Sequence, residues 1–336
     1  MHPDWRAFLQ QQGAVFDTQR VLHYGNAAAG LRAPADAAVI ADLSGDYAVI
    51  AVEGTDRRRF LQGQLSTNVL ALAPAASQFS SWSNAKGRVT TTLRVLEGDA
   101  CLLLVLPRVL AASVLQGLSG YVLRARARLT EVSDTLCQFG LAGEHAPNLL
   151  ATCGLTVPAE TNAVTEHQGL RLIRLHGGTP RYGVLGPNPE LQSLWTNMLD
   201  HGARPAGSDA WTLLRILAGE PEVHPETTGH FVAQMLGLEE LGAVHFNKGC
   251  YLGQEVIARA HYRGAVKRHL HRARCRSPEP LRPGMAIQAA DHDQPGGEIA
   301  DVGRDANGEW QMLLVLQDEF AAARLQIYAA PVTVIP

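Results

Sequence analysis

The chain has 336 residues, of which 46% are apolar and 18% charged, and its formal net charge is −3. These values exclude a disordered protein and allow a core large enough for more than one structural unit. Because the net charge is small, any contact with nucleic acid or membrane would require a local charged patch. No stretch approaches the roughly 20 apolar residues of a membrane-spanning helix.

The five cysteines are scattered and form no C-x-x-C pair. This pattern argues against a disulfide framework and against a resident zinc or iron–sulfur site, so we predict no metal site. The N-terminal residues lack the apolar run of a signal peptide. We therefore expect a cytoplasmic protein that does not contact the membrane.

The first predicted element is a strand at residues 46–53, which are rich in β-branched and aromatic residues. Gly54 follows and closes the strand. Apolar residues then recur at helical spacing, at Phe60, Leu61 and Leu65. This spacing predicts a helix directly after the strand.

A hairpin follows. Residues 89–96 and 101–106 are two apolar runs, and Gly98 and Asp99 between them are a favoured turn pair. Residues 122–129 alternate arginines with apolar residues, which predicts another strand.

Further along, residues 170–175 resemble a strand, whereas residues 189–199 and 208–218 have helical spacing. Strands and helices thus alternate irregularly, with hairpins among them. This order favours an α+β fold over a regularly wound parallel sheet.

After about Cys275 the chain changes to short strand-like stretches separated by Pro, Gly and Asp. They occupy residues 285–287, 311–316, 325–328 and 332–335. These stretches predict a small antiparallel β-barrel. The segment Ser-Pro-Glu-Pro at residues 277–280 is a candidate linker in front of it.

Reactive residue types concentrate at residues 248–255, Lys-Gly-Cys-Tyr-Leu-Gly-Gln-Glu. Glycines stand on both sides of Cys250 and permit tight backbone geometry. Residues 254–260 suit a helix, so Cys250 is expected near a helix N-terminus. That dipole and the cation of Lys248 would both lower the cysteine pKa.

The residues alone leave two interpretations of Cys250 open. It is either an activated thiol that acts as nucleophile, redox group or transient metal ligand, or a buried small hydrophobic residue.

Residues 248–255 match the signature of the YgfZ family, folate-binding relatives of the glycine-cleavage aminomethyltransferase. Four other segments resemble this family in the expected order. They are residues 60–69, 84–88, 215–221 and 263–268. The likeness covers about residues 40–275 well and the C-terminal part more loosely.

The resemblance implies an aminomethyltransferase-like folate-binding fold of three subdomains around a central channel, the last a small β-barrel. We accordingly predict a folate-binding domain of two subdomains at residues 1–276 and a barrel domain at residues 277–336. The implied function is assistance to iron–sulfur cluster synthesis or repair with tetrahydrofolate, and effects on tRNA modification through iron–sulfur enzymes. The implied partners are folate and iron–sulfur proteins or assembly factors.

The resemblance also assigns residues to roles. Cys250 is the essential reactive group and Lys248 tunes its thiol, so both are predicted catalytic residues. Tyr47 and Trp211 stand where the family has folate-contacting tryptophans, Tyr47 being a departure from that pattern. Arg215 would pair either with a carboxylate of the ligand or with a structural acid. Trp211, considered without the family, is more typical of core packing.

Two departures bear on the chemistry. The aminomethyltransferase has an aspartate shortly after the turn at Gly87, whereas residues 89–92 here are Val-Thr-Thr-Thr. Aminomethyl transfer by that mechanism is therefore not expected. Relatives often have Glu where this chain has Leu217.

A basic run begins at Arg259 and ends at Arg276, with seven Arg or Lys residues, three histidines and no acid. It is a candidate contact for RNA, a phosphate or a polyglutamate tail, or else a solvated face. Residues 269–274 alternate within it and suggest a strand with one basic face.

Three hypotheses for function follow. The first is the folate-dependent iron–sulfur factor with Cys250 as the essential group. The second is a folate-dependent one-carbon transferase or demethylase. The third is an RNA- or protein-binding module in which Cys250 is structural. Whether the protein is an enzyme is left open by the sequence.

Overall fold

A computed structural model of the chain describes residues 1–264, 266–290, 292 and 294–335. Ala265, in the segment that resembles the family at residues 263–268, and Pro336, the last residue of the predicted barrel domain, lie outside the described residues. No helix within the described ranges is both long enough and apolar enough to span a bilayer.

The described residues form eight α-helices, in chain order. They are α1 (Pro3–Gln11), α2 (Ala27–Arg32), α3 (Arg57–Gln62), α4 (Arg108–Gly120), α5 (Ala146–Thr152), α6 (Asn188–Asp200), α7 (Ser208–Leu217) and α8 (Gln254–Arg263).

Nineteen strands accompany them in the same described ranges. They are β1 (Val15–Asp17), β2 (Arg20–His23), β3 (Val39–Asp42), β4 (Tyr47–Glu53), β5 (Ser77–Ser83), β6 (Val89–Glu97), β7 (Leu102–Pro107), β8 (Arg128–Glu131), β9 (Leu136–Ala142), β10 (Val164–His167), β11 (Leu170–Arg174), β12 (Arg181–Pro187), β13 (Arg204–Ala206), β14 (Arg268–Cys275), β15 (Ala286–Ala289), β16 (Pro295–Arg304), β17 (Trp310–Gln317), β18 (Leu325–Ile327) and β19 (Ala330–Ile335).

The chain divides into two units that are each assembled from separate stretches of sequence. Unit 1 comprises Met1–Arg57, Leu72–Gln78 and Arg94–Leu214. Unit 2 comprises Arg58–Ala71, Phe79–Leu93 and Arg215–Pro336. Segments that lie far apart in the sequence therefore meet within one unit.

Unit 1 is built on a six-stranded sheet of order β10-β11-β12-β9-β3-β13, in which β13 pairs parallel to β3. Side chains of β3 and β9 alternate between two buried clusters. Ile40, Phe139 and Leu141 pack with α1 and α6. Ala41 and Ala142 pack in the other cluster with the first turns of α7. The alternation follows from the period of two of a β-strand.

A second sheet has the order β5-β6-β7-β4-β8. In it β4 pairs antiparallel with both β7 and β8. This sheet contains Tyr47, the first residue of β4.

The C-terminal part of unit 2 is a closed barrel of order β14-β17-β16-β15-β18-β19, in which β14 pairs with both β17 and β19. Its interior is apolar, with Ile287, Ile299, Leu314 and Leu316 fully buried. The predicted small barrel is thus confirmed. Its first strand, β14, begins before residue 277, and the division into domains at that residue stays a prediction.

The mixture of helices and strands confirms the predicted α+β class. The predicted strand at residues 46–53 is β4, the hairpin is β6 and β7, and the strand at 170–175 is β11. The predicted helices correspond to α3, α6, α7 and α8, and the alternating stretch 269–274 is β14.

The strand predicted at residues 122–129 is wrong. Helix α4 ends at Gly120, and a turn follows in which the Ala125 amide donates to the Val122 carbonyl over 2.8 Å. Leu123 is left-handed, with a φ of 45°, and 87% exposed. Strand β8 begins only at Arg128. The alternation of arginines imitates a half-buried strand, but a left-handed residue cannot continue one.

Candidate functional site

Cys250 lies on a loop that leads into α8 in unit 2. The residue is exposed, whereas Cys101, Cys137 and Cys275 are buried and Cys153 is half-buried. The interpretation of Cys250 as a buried small hydrophobic residue is therefore wrong. Its thiol can meet a reagent or a partner, which an activated thiol requires.

Lys248 anchors this loop. Its ammonium donates to the carbonyl oxygens of Gln62 (2.8 Å), Leu65 (2.5 Å) and Thr67 (2.7 Å). An ammonium has three donors, so the three carbonyls use all of them. The Nζ atom also lies 4.6 Å from the ring centroid of Tyr251. Burial lowers the pKa of Lys248 to about 7.

Backbone hydrogen bonds fasten the same loop to the segment after α3. The Leu252 amide donates to the Gly63 carbonyl over 3.1 Å, and the His245 amide donates to the Ser66 carbonyl over 3.0 Å. The Asn68 amide donates to His245 Nδ1 over 2.8 Å. Burial and the nearby Lys248 cation both lower the pKa of His245, which suits a ring nitrogen that accepts.

Two glycines bring a third segment against the loop. Gly253 has a φ of 79°, and a Cβ there would lie 2.6 Å from the Asn84 carbonyl oxygen and 2.8 Å from Gly87 Cα. Gly87 has a φ of 69°, and a Cβ there would lie 2.7 Å from Val256 Cβ and 3.0 Å from the Gly253 carbonyl oxygen. Each position therefore excludes a side chain for two reasons, its left-handed backbone and its close neighbour.

Three segments singled out in the sequence thus meet in unit 2: residues 60–69, 84–88 and 248–255. A buried hydroxyl cluster, not anticipated from the sequence, lies beside them. Ser66 Oγ donates to the Ala243 carbonyl over 2.6 Å and lies 3.2 Å from Ser80 Oγ and 3.0 Å from Ser81 Oγ. Its only sequence signal is an unusual run of serines in β5.

Arg215 is buried in unit 2 among acids. Its guanidinium pairs with Asp301 of β16 and lies 3.5 Å from Glu222. Asp301 is fully buried and also lies 3.0 Å from His224 Nε2. The sequence leaves two kinds of partner open for Arg215, a ligand carboxylate or an acid of the protein itself. The structure pairs it with acids of the protein, Asp301 and Glu222. Asp301 itself was missed because it lies 86 residues away in the chain.

Trp211 and Tyr47 belong to unit 1. Trp211 is only 4% exposed and covers Gly140, where a Cβ would lie 2.3 Å from a ring carbon of the indole. This packing explains why position 140 lacks a side chain. Tyr47 is half-buried, and its carbonyl accepts from Arg108 and Gln138. The roles of both residues toward a ligand stay predictions.

The residues after Gly87 have no carboxylate, as the sequence states, and their hydroxyls bond within the protein. Thr91 Oγ1 donates to the Thr92 carbonyl over 2.9 Å, and Thr92 Oγ1 donates to the Pro221 carbonyl over 3.4 Å. Both threonines are buried.

Several buried polar atoms near the loop in unit 2 lack a hydrogen-bond partner within the described ranges. They are Gln64 Oε1, Trp82 Nε1, Ser83 Oγ and the Tyr251 hydroxyl. An antiparallel bridge between Leu65 and Trp82 places Gln64 opposite Ser83. Since buried polar groups are nearly always paired, these atoms are candidate hydrogen-bond partners for a polar ligand or water. No three His, Cys, Asp or Glu side chains of the described part come together as a metal site would need.

Comparisons with known proteins agree with this geometry. No family model matches the chain. A curated tRNA-modifying protein YgfZ of Klebsiella pneumoniae is 31% identical over 225 residues, covering 67% of this chain and 68% of the relative. The chain belongs to the YgfZ family. The YgfZ protein of Photorhabdus laumondii is 30% identical over 67% of this chain and 68% of its own. The YgfZ protein of Sodalis glossinidius is 28% identical over 83% of this chain and 85% of its own.

The fold of this YgfZ-family chain is that of an aminomethyltransferase. The crystal structure of the glycine cleavage system aminomethyltransferase T from Bartonella henselae superposes with a TM-score of 0.82. The superposition covers 98% of this chain and 95% of that one, at 18% identity. The predicted fold and the predicted family are therefore both confirmed.

Proposed function

We propose that this protein binds tetrahydrofolate and assists iron–sulfur cluster synthesis or repair, with Cys250 as its essential group. Effects on tRNA modification would then be indirect, through iron–sulfur enzymes. The observation that carries the proposal is the exposure of Cys250 on a loop held by Lys248. The names of the curated relatives, tRNA-modifying proteins, support the connection to tRNA.

The residues of unit 2 fit a folate in one respect. A pterin is flat and carries amide-like edges, and such a ligand would pair with unsatisfied buried groups like those of Gln64, Trp82 and Ser83. Tyr47 and Trp211 of unit 1 are the proposed aromatic contacts. Arg215 is a weaker candidate for binding the folate carboxylates, because its guanidinium already pairs with Asp301 and Glu222.

When bound, tetrahydrofolate supplies one-carbon or redox chemistry. In this proposal the protein itself supplies the exposed thiol of Cys250. Lys248 is a positioning residue, because its three hydrogen bonds fix the loop on which Cys250 stands. Cys250 would meet iron–sulfur proteins or assembly factors as a nucleophile or a transient ligand.

The hypothesis of a one-carbon transferase or demethylase is less favoured. Thr91 and Thr92 stand where that chemistry would require a carboxylate, and their hydroxyls bond to backbone carbonyls. The binding module with a structural cysteine is also less favoured, since Cys250 is exposed.

The test is complementation of a bacterial strain that lacks its own YgfZ protein. We expect the wild-type chain to restore the activity of iron–sulfur enzymes and Cys250→Ala to fail, although both accumulate equally. Cys153→Ala is the matched control and should complement, because its thiol is half-buried and lies in unit 1. Full complementation by Cys250→Ala would overturn the role of the thiol.

Folate binding is tested separately by titration calorimetry with tetrahydrofolate. Wild type and Cys250→Ala should bind alike, because the thiol is assigned to the reaction rather than to holding folate. Absence of binding to wild type would remove the folate from the proposal while leaving the complementation result intact.

A further inference from the structure

Unit 2 carries a cavity of about 320 Å³ that the proposed function does not use. Its lining includes the aromatic side chains Phe246, His261 and Tyr262, and the polar side chains Asn68, His245 and Asn247. The volume lies at the lower end of the range for small-molecule pockets, about 300–1,000 Å³, and suits one flat ring with attached polar groups.

The rings form an ordered group. Phe246 and His261 are stacked, with centroids 3.7 Å apart and planes inclined by 17°. Tyr262 stands at 70° to Phe246 and at 85° to His261, so neither ring lies flat against it. Tyr262 is 66% exposed. An exposed ring with an uncovered face is a platform on which another planar ring can stack.

Cationic residues follow the ring residues of α8 closely in the chain. Arg263 ends α8, and Lys267 and Arg268 follow shortly after it. All three are exposed and have no ion-pair partner within the described ranges. Among the described residues, the acid that pairs with Arg259 is Glu255, at 3.4 Å between two largely exposed side chains, and such a pair contributes little to stability.

The rest of the basic run is engaged differently. Arg272 donates to the Leu217 carbonyl, and both Arg274 and Arg276 pair with Glu309. One acid, Glu239, contacts the ring group, where its Oε2 lies 3.1 Å from His261 Nδ1. Within the described part of the basic run, Arg263, Lys267 and Arg268 thus have neither an acid nor a side-chain hydrogen bond, and Arg263 directly follows Tyr262 in the chain.

We propose that the ring-and-cation surface, defined by Phe246, His261, Tyr262, Arg263 and Lys267, binds single-stranded RNA. One base stacks on Tyr262, and the adjoining phosphates lie against the cations. A stacking ring beside unpaired cations is the combination that single-stranded nucleic acids require. A folded protein partner would need an interface of roughly 800 Å² on this side, far more than these few side chains present.

RNA is favoured over DNA because amide and imidazole groups line the cavity. Such groups can pair with a 2′-hydroxyl and with the edges of an unstacked base. The proposal goes beyond the folate chemistry and does not depend on it. A direct RNA contact and an indirect effect on tRNA modification are thus separate statements with separate tests.

The experiment is fluorescence anisotropy with a labelled, unstructured RNA of about 12 nucleotides, a length within the range of single-strand sites. Measurements begin at about 50 mM salt, where phosphate contacts are strong. We expect Tyr262→Ala to weaken binding about 5- to 150-fold, the value of one stacked base, and Tyr262→Phe to retain it. Tyr328→Ala is the matched control, because that tyrosine is also exposed, at 58%, and lies outside the surface.

The cations are tested by salt dependence. Arg263→Gln should reduce the slope of log K against log salt by about 0.7, whereas Arg282→Gln, an exposed arginine outside the basic run, should not change it. A DNA of the same sequence should bind more weakly. No binding to wild type, or equal losses for Tyr262→Ala and Tyr328→Ala, would overturn the proposal. Equal binding of DNA would overturn the choice of RNA.

Discussion

Lys248 is close to Cys250 in sequence, but its ammonium donates to backbone carbonyl oxygens. Tuning of the thiol by Lys248 stays a prediction, while three carbonyl contacts add an anchoring role that no sequence pattern indicates. Burial lowers the pKa of Lys248 to about 7, whereas the carbonyl oxygens favour its protonated form, since only the ammonium can donate to all three. What the structure shows of Lys248 is that its ammonium fixes the position of the loop that contains Cys250.

The glycines around the thiol make different contributions, which allows a matched test. Gly253→Ala should lower the free energy of unfolding by about 1–3 kcal/mol from its left-handed backbone alone, and more through the contact with the Asn84 carbonyl. Gly249→Ala should change it by less than about 0.5 kcal/mol, because a Cβ there meets no atom within 4 Å. Denaturant unfolding measures both. Equal effects of the two substitutions would contradict the close packing of Gly253 on Gly87.

For single residues, the sequence predicts which residue types a site needs better than it predicts which residues they contact. The glycines beside Cys250 indicate tight backbone geometry, yet their spacing does not reveal that Gly253 meets Gly87. The exposure of Cys250 was also undecided, because an unpaired cysteine is commonly buried. Partners and exposure depend on tertiary contacts between distant segments.

Within unit 2, the end of α7 from Arg215 onward is joined to a barrel strand by one buried polar cluster. Arg215 near the end of α7 and His224 in the following loop both contact Asp301 of β16. The Val302 amide also donates to Asp301, over 2.9 Å. Burial alone would raise the pKa of Asp301, but Arg215 and His224 outweigh it and lower it to about 2.

The pH dependence of this cluster follows from both partners. The Asp301 pKa lies below its ordinary value, so its contribution is present above about pH 4 and is lost as the pH falls toward 2. The pKa of His224 is raised, because the hydrogen bond to Asp301 and its charge outweigh burial. The contribution of His224 is thus present below pH 6.5 and is lost as the pH rises through its raised pKa.

Asp301→Asn should therefore lower the free energy of unfolding by about 3–5 kcal/mol near pH 5–6, because it removes the fully buried carboxylate that pairs with both Arg215 and His224. The substitution should also make the free energy of unfolding less dependent on pH, both as the pH falls toward 2 and as it rises through the pKa of His224. The control is Asp318→Asn, which breaks a largely exposed pair with His269 and should cost less than about 1 kcal/mol. Similar losses for the two variants, measured by denaturant unfolding, would contradict a buried cluster.

Helices and strands whose apolar residues recur at regular spacing could be predicted from the sequence, whereas elements with irregular spacing could not. Helices α6 and α7 have clear helical spacing, and β6 and β7 share a favoured turn. Strand β16 escaped prediction, because Pro295 and two glycines at its start resemble a loop. Closure of the barrel by pairing between β14 and β19 cannot be derived from either strand alone, since pairing depends on the whole sheet.

Across the whole molecule, the five cysteines differ in accessibility and chemistry. All lie in described ranges, and Cys250 alone of the five is exposed. Burial raises the pKa of Cys101, Cys153 and Cys275, and that of Cys137 to about 12. Since the thiolate is the reactive form, the four should resist alkylation in the folded protein.

Iodoacetamide should therefore add one adduct per native chain at pH 8, at Cys250, and none to Cys250→Ala in the same interval. Intact-mass spectrometry counts the adducts and peptide mapping places them. Denatured protein should take five, which confirms that all the thiols are free. Rapid modification of any other cysteine in the native chain would contradict the burial described for it.

The discontinuity of unit 2 affects how the protein is made. The carbonyls that hold Lys248 belong to residues 62–67, which leave the ribosome long before residue 255 is joined to the chain. At about 5–20 residues per second, this delay is roughly 10–40 s. During it the early segment can pair within its own unit only with residues 79–93, and the carbonyls that accept from Lys248 wait for their donor. The thiol loop is thus among the last parts of the protein to form, and a chain released early would contain the early segment without the thiol it supports.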